Sequence, residues 1–257
     1  MILMSLALGG KVKLLQDDKM RAEVTAQIKG HLLRIISHDI ANPLTVVKGH
    51  SRRLQKDLPA NRSIESIVRG VNMIEEIMHF VRKTEALNQG MAMSMTSVSL
   101  AEVFAKLTFL FEEKARDKGI ELKFSLESPD LAVHAEKVTL SHEVLGNLLS
   151  NAIKFSSPGG TVRLDARRHE SDSILITVQD QGVGMSRETL SRLFDPHQNR
   201  SEPGTAGEQG IGYGMPLAKA LLDAYAAMIE VDSTPVALDP ERCGTIFRIF
   251  IRAAKGM

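Results

Sequence analysis

The chain reads as two domains of different class: an all-α helical hairpin that pairs into a dimeric four-helix bundle, then an α+β domain built as an α/β sandwich. Three observations predict this. Between Lys11 and Leu58 there is one proline, Pro43, among residues that are mostly good helix formers. Two apolar stripes at helical spacing flank a short turn at residues 59–63. Beyond residue 98, helical and alternating segments are mixed without a regular βαβ repeat.

Composition narrows the class. Of 257 residues, 43% are hydrophobic and 25% charged, ordinary for a soluble globular protein. The balance of 32 basic against 31 acidic residues leaves no net field to attract nucleic acid or a membrane, so no nucleic-acid partner is expected. Cys243 is the only cysteine; it can form no intrachain disulfide, suits a reducing, cytoplasmic setting, and reads as a small buried strand residue. The opening "MILMSLALGG" is too short to span a bilayer, although an apolar run that stops before "KVKLLQDDK" is also how the inner end of a membrane helix looks.

Residues 1–29 read as a connector helix that feeds a hairpin domain over 30–90. On its first helix Ile36, Ile40, Leu44, Val47, Leu54 and Leu58 share one stripe. "PANRS" is the turn, with Ser63 as the expected N-cap, and Ile64, Ile67, Val71, Ile74, Met78 and Val81 carry the second stripe. A lone hairpin leaves much of this surface wet, which predicts a homodimer through residues 30–88. Residues 88–98 read as a linker or a loose strand lead-in. The second domain, 98–257, then runs helix (about 100–118), two short strands (about 120–127 and 131–134) and a helix (about 137–155). Strands around "TVRLDARR" and "SILITVQD", a glycine-rich region, a helix and two closing strands follow.

The helix at 137–155 places Leu145, Leu149 and Ala152 on one face and Asn147, Asn151 and Lys154 on the other. Two amides and an ammonium suit a metal-bound phosphate: an amide oxygen can ligate Mg²⁺ and a lysine can meet phosphate charge. "SILITVQD" ends in Asp180, a carboxylate able to accept from an exocyclic amine, and Gly182 and Gly184 would let backbone approach a ring closely. "EQGIGYGM" supplies Gly210, Gly212 and Gly214 just before a helix, an arrangement that holds phosphate on free N–H groups. The polar segment "PHQNRSEPGTAGEQ" between them reads as a flap over a ligand.

In this order the pieces resemble the GHKL-type ATP-binding domain shared by histidine kinases, Hsp90-type chaperones, type II topoisomerases and mismatch-repair ATPases. "NLLSNAIKF" resembles the N box, "DQGVGM" the first glycine box, "LFDP" the phenylalanine box, "GIGYGM" the second glycine box and "CGTIFRI" the last, over residues 98–252. The resemblance implies ATP and Mg²⁺ as cofactors. It further implies Asn151 as the metal ligand, Asn147 and Lys154 near the phosphates, Phe155 against the base, Asp180 on adenine and Thr245 close to Asp180. Chaperones and topoisomerases carry a hydrolytic glutamate four residues before the metal asparagine; here that place is Asn147, which favours handing the phosphoryl group to another acceptor over hydrolysis. Departures from the family pattern are Ala226 and Ala227 where a glycine pair is usual, Tyr213 and Met215 where leucines are commoner, and Pro216 in the first turn of a helix.

The acceptor lies in the first domain. By the 100° count His38 stands opposite the Ile40 stripe and faces solvent, with Asn42 one turn along and Asp39 on one flank. A neutral imidazole can attack phosphorus while an adjacent carboxylate takes or orients its proton. His31, His50 and His79 read as ordinary exposed residues. "HDIANPL" resembles the H box of dimeric histidine kinases, over about residues 28–88, and implies phosphorylation of His38 and transfer to an aspartate on the receiver domain of a response regulator. Asp39 and Asn42 also resemble the family's phosphatase motif. Pro43 removes the helix bond to the carbonyl of Asp39, which loosens the turn beside the acceptor. The segment "SLALGGKVKLLQDDKMRAEV" resembles the connector after the last membrane helix of sensor kinases with a seven-helix membrane region. That implies the cytoplasmic part of an inner-membrane sensor; a signalling helix on a soluble kinase is the alternative. A nucleotide-binding scaffold that regulates another kinase by heterodimerisation is the rival function.

Overall fold

The computed structural model describes residues 40–58, 61–90, 93–170, 172–198, 202–208 and 212–254, and the chain divides into two compact units at Gly90 and Met91. Residues 1–39, which hold the connector and both His38 and Asp39, lie outside the described residues.

The first unit is an antiparallel helical hairpin. Helix α1 covers 40–57 and helix α2 covers Arg62–Asn88. The N-cap of α2 is Asn61, not Ser63: the Asn61 side-chain oxygen accepts from the backbone N–H groups of Ser63 (3.0 Å) and Ile64 (3.3 Å). Both residues can cap, but Asn61 keeps the extended backbone a cap needs while Ser63 is already helical. Lys48 pairs with Glu75 across the hairpin. Burial follows a heptad: Leu44 and Ser51 on α1 and Ile64, Val71 and Met78 on α2 are buried, whereas Ile40, Val47 and Leu54, with Ile67 and Ile74, are 38–48% exposed. One seam therefore closes the hairpin and the other stays wet in a single copy.

The second unit is a two-layer sandwich. Strands β1 (Thr96–Ser99) and β3 (Ala132–Ala135) form a small antiparallel sheet. The main sheet has the order β2-β4-β5-β7-β6, from β2 (Glu121–Leu126), β4 (Thr161–Glu170), β5 (Ser173–Asp180), β6 (Met228–Thr234) and β7 (Gly244–Arg252). Among the described residues only β2 and β4 pair in parallel. Helices α3 (Leu100–Asp117), α4 (Gly146–Phe155) and α6 (Gly214–Ala224) carry the opposite layer, and a short α5 spans Arg187–Ser191. Leu107, Leu140, Leu145, Leu148, Leu149, Ile153 and Leu221 are buried, as are Leu164, Ile174, Ile176, Ile249 and Ile251 of the sheet. Each such side chain contributes roughly 1.5–3 kcal/mol of transfer free energy. Alternate strand residues such as Arg163, Asp165, Thr177 and Arg248 are less buried than their neighbours, as a sheet covered on one face requires.

Three local features depart from the expected pattern. The helix expected over about 137–155 begins as a π-helix, Thr139–Leu145, whose last turn closes with the Gly146 N–H on the carbonyl of Ser141. Wider turns break the 3.6-residue phase, so periodicity alone does not reveal them. Cys243 is not buried in a strand; it is half-buried just before β7, with its thiol on the carbonyl of Pro240. Helices α3 and α6 end alike, with paired bonds from Gly119 to Arg116 and Ile120 to Ala115, and from Ala226 to Asp223 and Ala227 to Leu222. This closure needs a left-handed residue. Gly119 supplies it at φ +68°, but Ala226 adopts φ +52° at a steric penalty that glycine would avoid. Among the described residues no helix is long and apolar enough to cross a membrane.

Candidate functional site

Strand β5 is paired on both sides, and its last residue, Asp180, lies opposite Val162 of β4 and Thr245 of β7. The carboxyl is buried. Its Oδ1 accepts from the N–H groups of Gly182 (2.8 Å) and Thr245 (3.2 Å), and among the described residues no bond is recorded to Oδ2. Burial pushes the Asp180 carboxyl up to about 6, and the two backbone donors offset only part of that. One oxygen thus fixes the side chain while the other can accept from a ligand.

The chain beyond Asp180 is pressed between two other segments. The Val183 N–H donates to the carbonyl of Phe155 at 3.1 Å, and the Val183 carbonyl accepts from Val236 at 2.9 Å. A Cβ on Gly182 would lie 2.5 Å from the Phe155 carbonyl oxygen; one on Gly184, at φ +63°, would lie 1.9 Å from that of Thr234. The close approach these glycines permit is therefore of backbone to backbone, which brings the ends of α4, β5 and β6 together. Ser233 ties this junction: its hydroxyl accepts from the Met185 N–H (2.8 Å), donates to the Gly244 carbonyl (3.0 Å) and lies 2.9 Å from the Thr245 hydroxyl. With its one proton spent on Gly244, Ser233 is the acceptor from Thr245.

Helix α4 buries Leu148, Leu149, Ala152 and Ile153 and leaves Asn147 and Asn151 half-buried. The Asn147 amide donates to the carbonyls of Glu143 (2.6 Å) and Gly214 (3.3 Å), so it joins α4 to the start of α6. A Cβ on Gly214 would come within 3.2 Å of that amide, which is why the two helices meet there without a side chain. Gly212 has φ +93°, and Tyr213 offers no side-chain cap to the first turn of α6. Gly210 lies outside the described residues. Lys154 is buried, not solvated as a plain polar face would have it: its Nζ donates to the carbonyl of Glu202 (2.7 Å) and stands 4.6 Å from the centre of the Phe155 ring.

The structure thus gathers Phe155, Asp180, Gly182, Gly184 and Thr245 around one strand end, with Asn147, Asn151 and Lys154 along the adjoining helix. Asn42, in the other unit, is exposed on α1 beside exposed Pro43. Among the described residues no group of three or more His, Cys, Asp or Glu could hold a metal by itself. A magnesium ion here would take one amide oxygen, from Asn151, and the rest of its shell from phosphate and water, a donor set that suits a hard cation arriving with a nucleotide. Ser233, Thr205, Lys118 and Glu208 were not legible as site residues, because their roles come from strand register and loop closure and no motif spacing marks them.

Comparison with known proteins follows the same division. Residues 28–86 match the His Kinase A (phospho-acceptor) domain, and residues 136–255 match the histidine kinase-, DNA gyrase B- and HSP90-like ATPase family. Among curated proteins the chain is 28% identical over 233 residues to the non-motile and phage-resistance protein of Caulobacter vibrioides, covering 86% of this chain and 27% of that one. It is 26% identical over 242 residues to the cell-division control histidine kinase PdhS of Brucella anthropi, covering 86% and 22%. The chain therefore spans about a quarter of the length of these relatives. The fold is that of full-length ShkA, solved with AMPPNP (TM-score 0.69, 22% identity, 88% of this chain and 47% of that one). It is also that of ThkA solved with the response regulator TrrA (TM-score 0.55, 21% identity, 88% and 62%). With a phospho-acceptor hairpin and an ATPase-type sandwich matched in order along it, the chain belongs to the sensor histidine kinases of two-component systems.

Proposed function

We propose that this chain binds ATP with Mg²⁺ at the end of β5, phosphorylates His38 and passes the group to an aspartate on a response regulator. The observation that carries this reading is the buried Asp180 carboxylate, held among the described residues through Oδ1, beside a turn that Gly182 lets pack against the end of α4. An acceptor desolvated to this degree gains most from a directed donor, and the exocyclic amine of adenine is one. Asn147 and Lys154 lie on the phosphate side, Phe155 on the base side, and Asn151 would hold Mg²⁺, which neutralises phosphate charge when bound. The imidazole of His38 forms the new bond to the terminal phosphorus as the bond to the bridging oxygen breaks; ADP leaves, and the imidazole proton passes to Asp39. The phosphoryl group then moves from nitrogen to the regulator's carboxylate.

The exposed second seam of the hairpin supports homodimerisation, since a second copy would cover Ile40, Val47, Leu54, Ile67 and Ile74. Asn42, exposed on α1, suits the amide that positions water for dephosphorylation of the regulator. An upstream sensor region, cytoplasmic placement beneath a membrane and the domain limits 1–29, 30–90 and 98–257 belong to the same reading.

Incubation with γ-labelled ATP and Mg²⁺ tests it. Alkali-stable, acid-labile label that is absent from His38→Gln is expected; label that persists in that variant rejects the assignment. Nucleotide binding without any label would favour the scaffold that regulates another kinase.

A further inference from the structure

Helix α4 ends at Phe155, where its last carbonyls have no partner within the helix. They are capped from elsewhere. Lys118, at the end of α3, donates through Nζ to the carbonyls of Ile153 (2.9 Å) and Lys154 (2.6 Å), and the Thr205 N–H adds a bond to Lys154 at 3.1 Å. The same Lys118 ammonium meets Glu208 Oε1 at 2.5 Å. The other carboxylate oxygen accepts from the Ala206 N–H (2.9 Å), and the Glu208 carbonyl accepts from Gly204 (2.8 Å). The Thr205 hydroxyl donates to the carbonyl of Ser156 at 2.6 Å. Residues 204–208 are thus a closed turn, fastened to α3 by charge and to α4 by backbone.

What this turn covers is Lys154. The Glu202 carbonyl takes its ammonium at 2.7 Å, and Gly204 packs so tightly that a Cβ there would lie 2.6 Å from Lys154 Cγ and 2.3 Å from Glu208 Oε2. Lys154 is left 7% exposed. We propose that residues 202–208 form an autoinhibitory strap: Glu208, latched on Lys118, holds the Glu202 carbonyl on Lys154, and a nucleotide phosphate gains that lysine only by displacing it. The inference rests on the nucleotide site proposed above and adds its regulation. A phosphate oxygen is the stronger acceptor for an ammonium, so displacement proceeds, but the strap lowers the apparent affinity by the fraction of molecules in which it is closed. Lys118 keeps its carbonyl partners when Glu208 is changed, so the latch can be cut without uncapping α4.

Two variants of the full chain test this by different means. Glu208→Gln removes the charge but keeps an acceptor for Ala206, and Gly204→Ala drives a methyl group into Lys154 and Glu208. Binding of a non-hydrolysable ATP analogue with Mg²⁺ is measured by calorimetry, and hydrogen exchange is followed at the Thr205 and Ala206 amides without nucleotide. Both variants are expected to exchange faster and to bind the analogue about five- to tenfold more tightly. Faster exchange with unchanged or weaker binding overturns the strap, as does exchange that stays at the wild-type rate in both. If the wild type binds no analogue while exchange still accelerates in the variants, the nucleotide reading is what has failed, and the competition falls with it.

Discussion

Replacing Asp180 by asparagine should strengthen the second unit and weaken nucleotide binding at once. Asparagine has the same shape, and its oxygen can still accept from Gly182 and Thr245. The ionised carboxylate differs in that burial lifts it from an ordinary 3.8 to about 6. At 1.36 kcal/mol per unit, the folded domain carries a penalty of about 3 kcal/mol whenever Asp180 is ionised. Because the folded value is the raised one, that penalty is absent below about 3.8, grows as pH rises toward about 6 and is constant above. Urea unfolding at pH 8 should therefore show Asp180→Asn more stable by up to about 3 kcal/mol, with the gap closing between pH 6 and pH 4. The amide would instead present an N–H₂ to the adenine amine, and two donors face to face should cost about 2 kcal/mol, roughly a thirtyfold loss in ATP affinity by calorimetry. A variant that is less stable at pH 8, a gap that ignores pH, or an ATP affinity equal to the wild type would each refute the reasoning.

Four further outcomes are expected. Ala226→Gly relieves the left-handed backbone at φ +52° and should raise the thermal stability of the second unit by about 0.5–1 kcal/mol after the entropy of glycine is deducted. Gly182→Ala forces a methyl group to 2.5 Å from the Phe155 carbonyl and should destabilise by about 1–3 kcal/mol in denaturant titration, with loss of ATP binding. Asn61→Ala leaves the Ser63 and Ile64 amides uncapped and should lower hairpin stability by about 1 kcal/mol, read from the helical circular dichroism signal. Ile74→Glu places a charge on the exposed seam; sedimentation should show the dimer weakened by about two orders of magnitude while helix content is kept, whereas Val71→Ala, on the closed seam, should lower helix content first.

The sequence by itself determined the class of both units. Apolar residues at heptad spacing either side of a short turn admit only a helical hairpin, and alternation in "SILITVQD" admits only a strand, because these periods are properties of the local backbone. It also marked Asp180, Gly182 and Asn151 as candidates, since their spacing lies within single contiguous motifs. The local backbone, not the periodicity, chose Asn61 over Ser63 as the cap of α2 and set a π-turn before α4; only the tertiary structure decided which seam of the hairpin closes within one copy. It alone showed Lys154 covered by a turn that Lys118 and Glu208 hold across 90 residues of chain. Periodicity fixes a face but not its neighbour: contacts between segments far apart in the chain depend on how whole elements pack, and no local pattern encodes them.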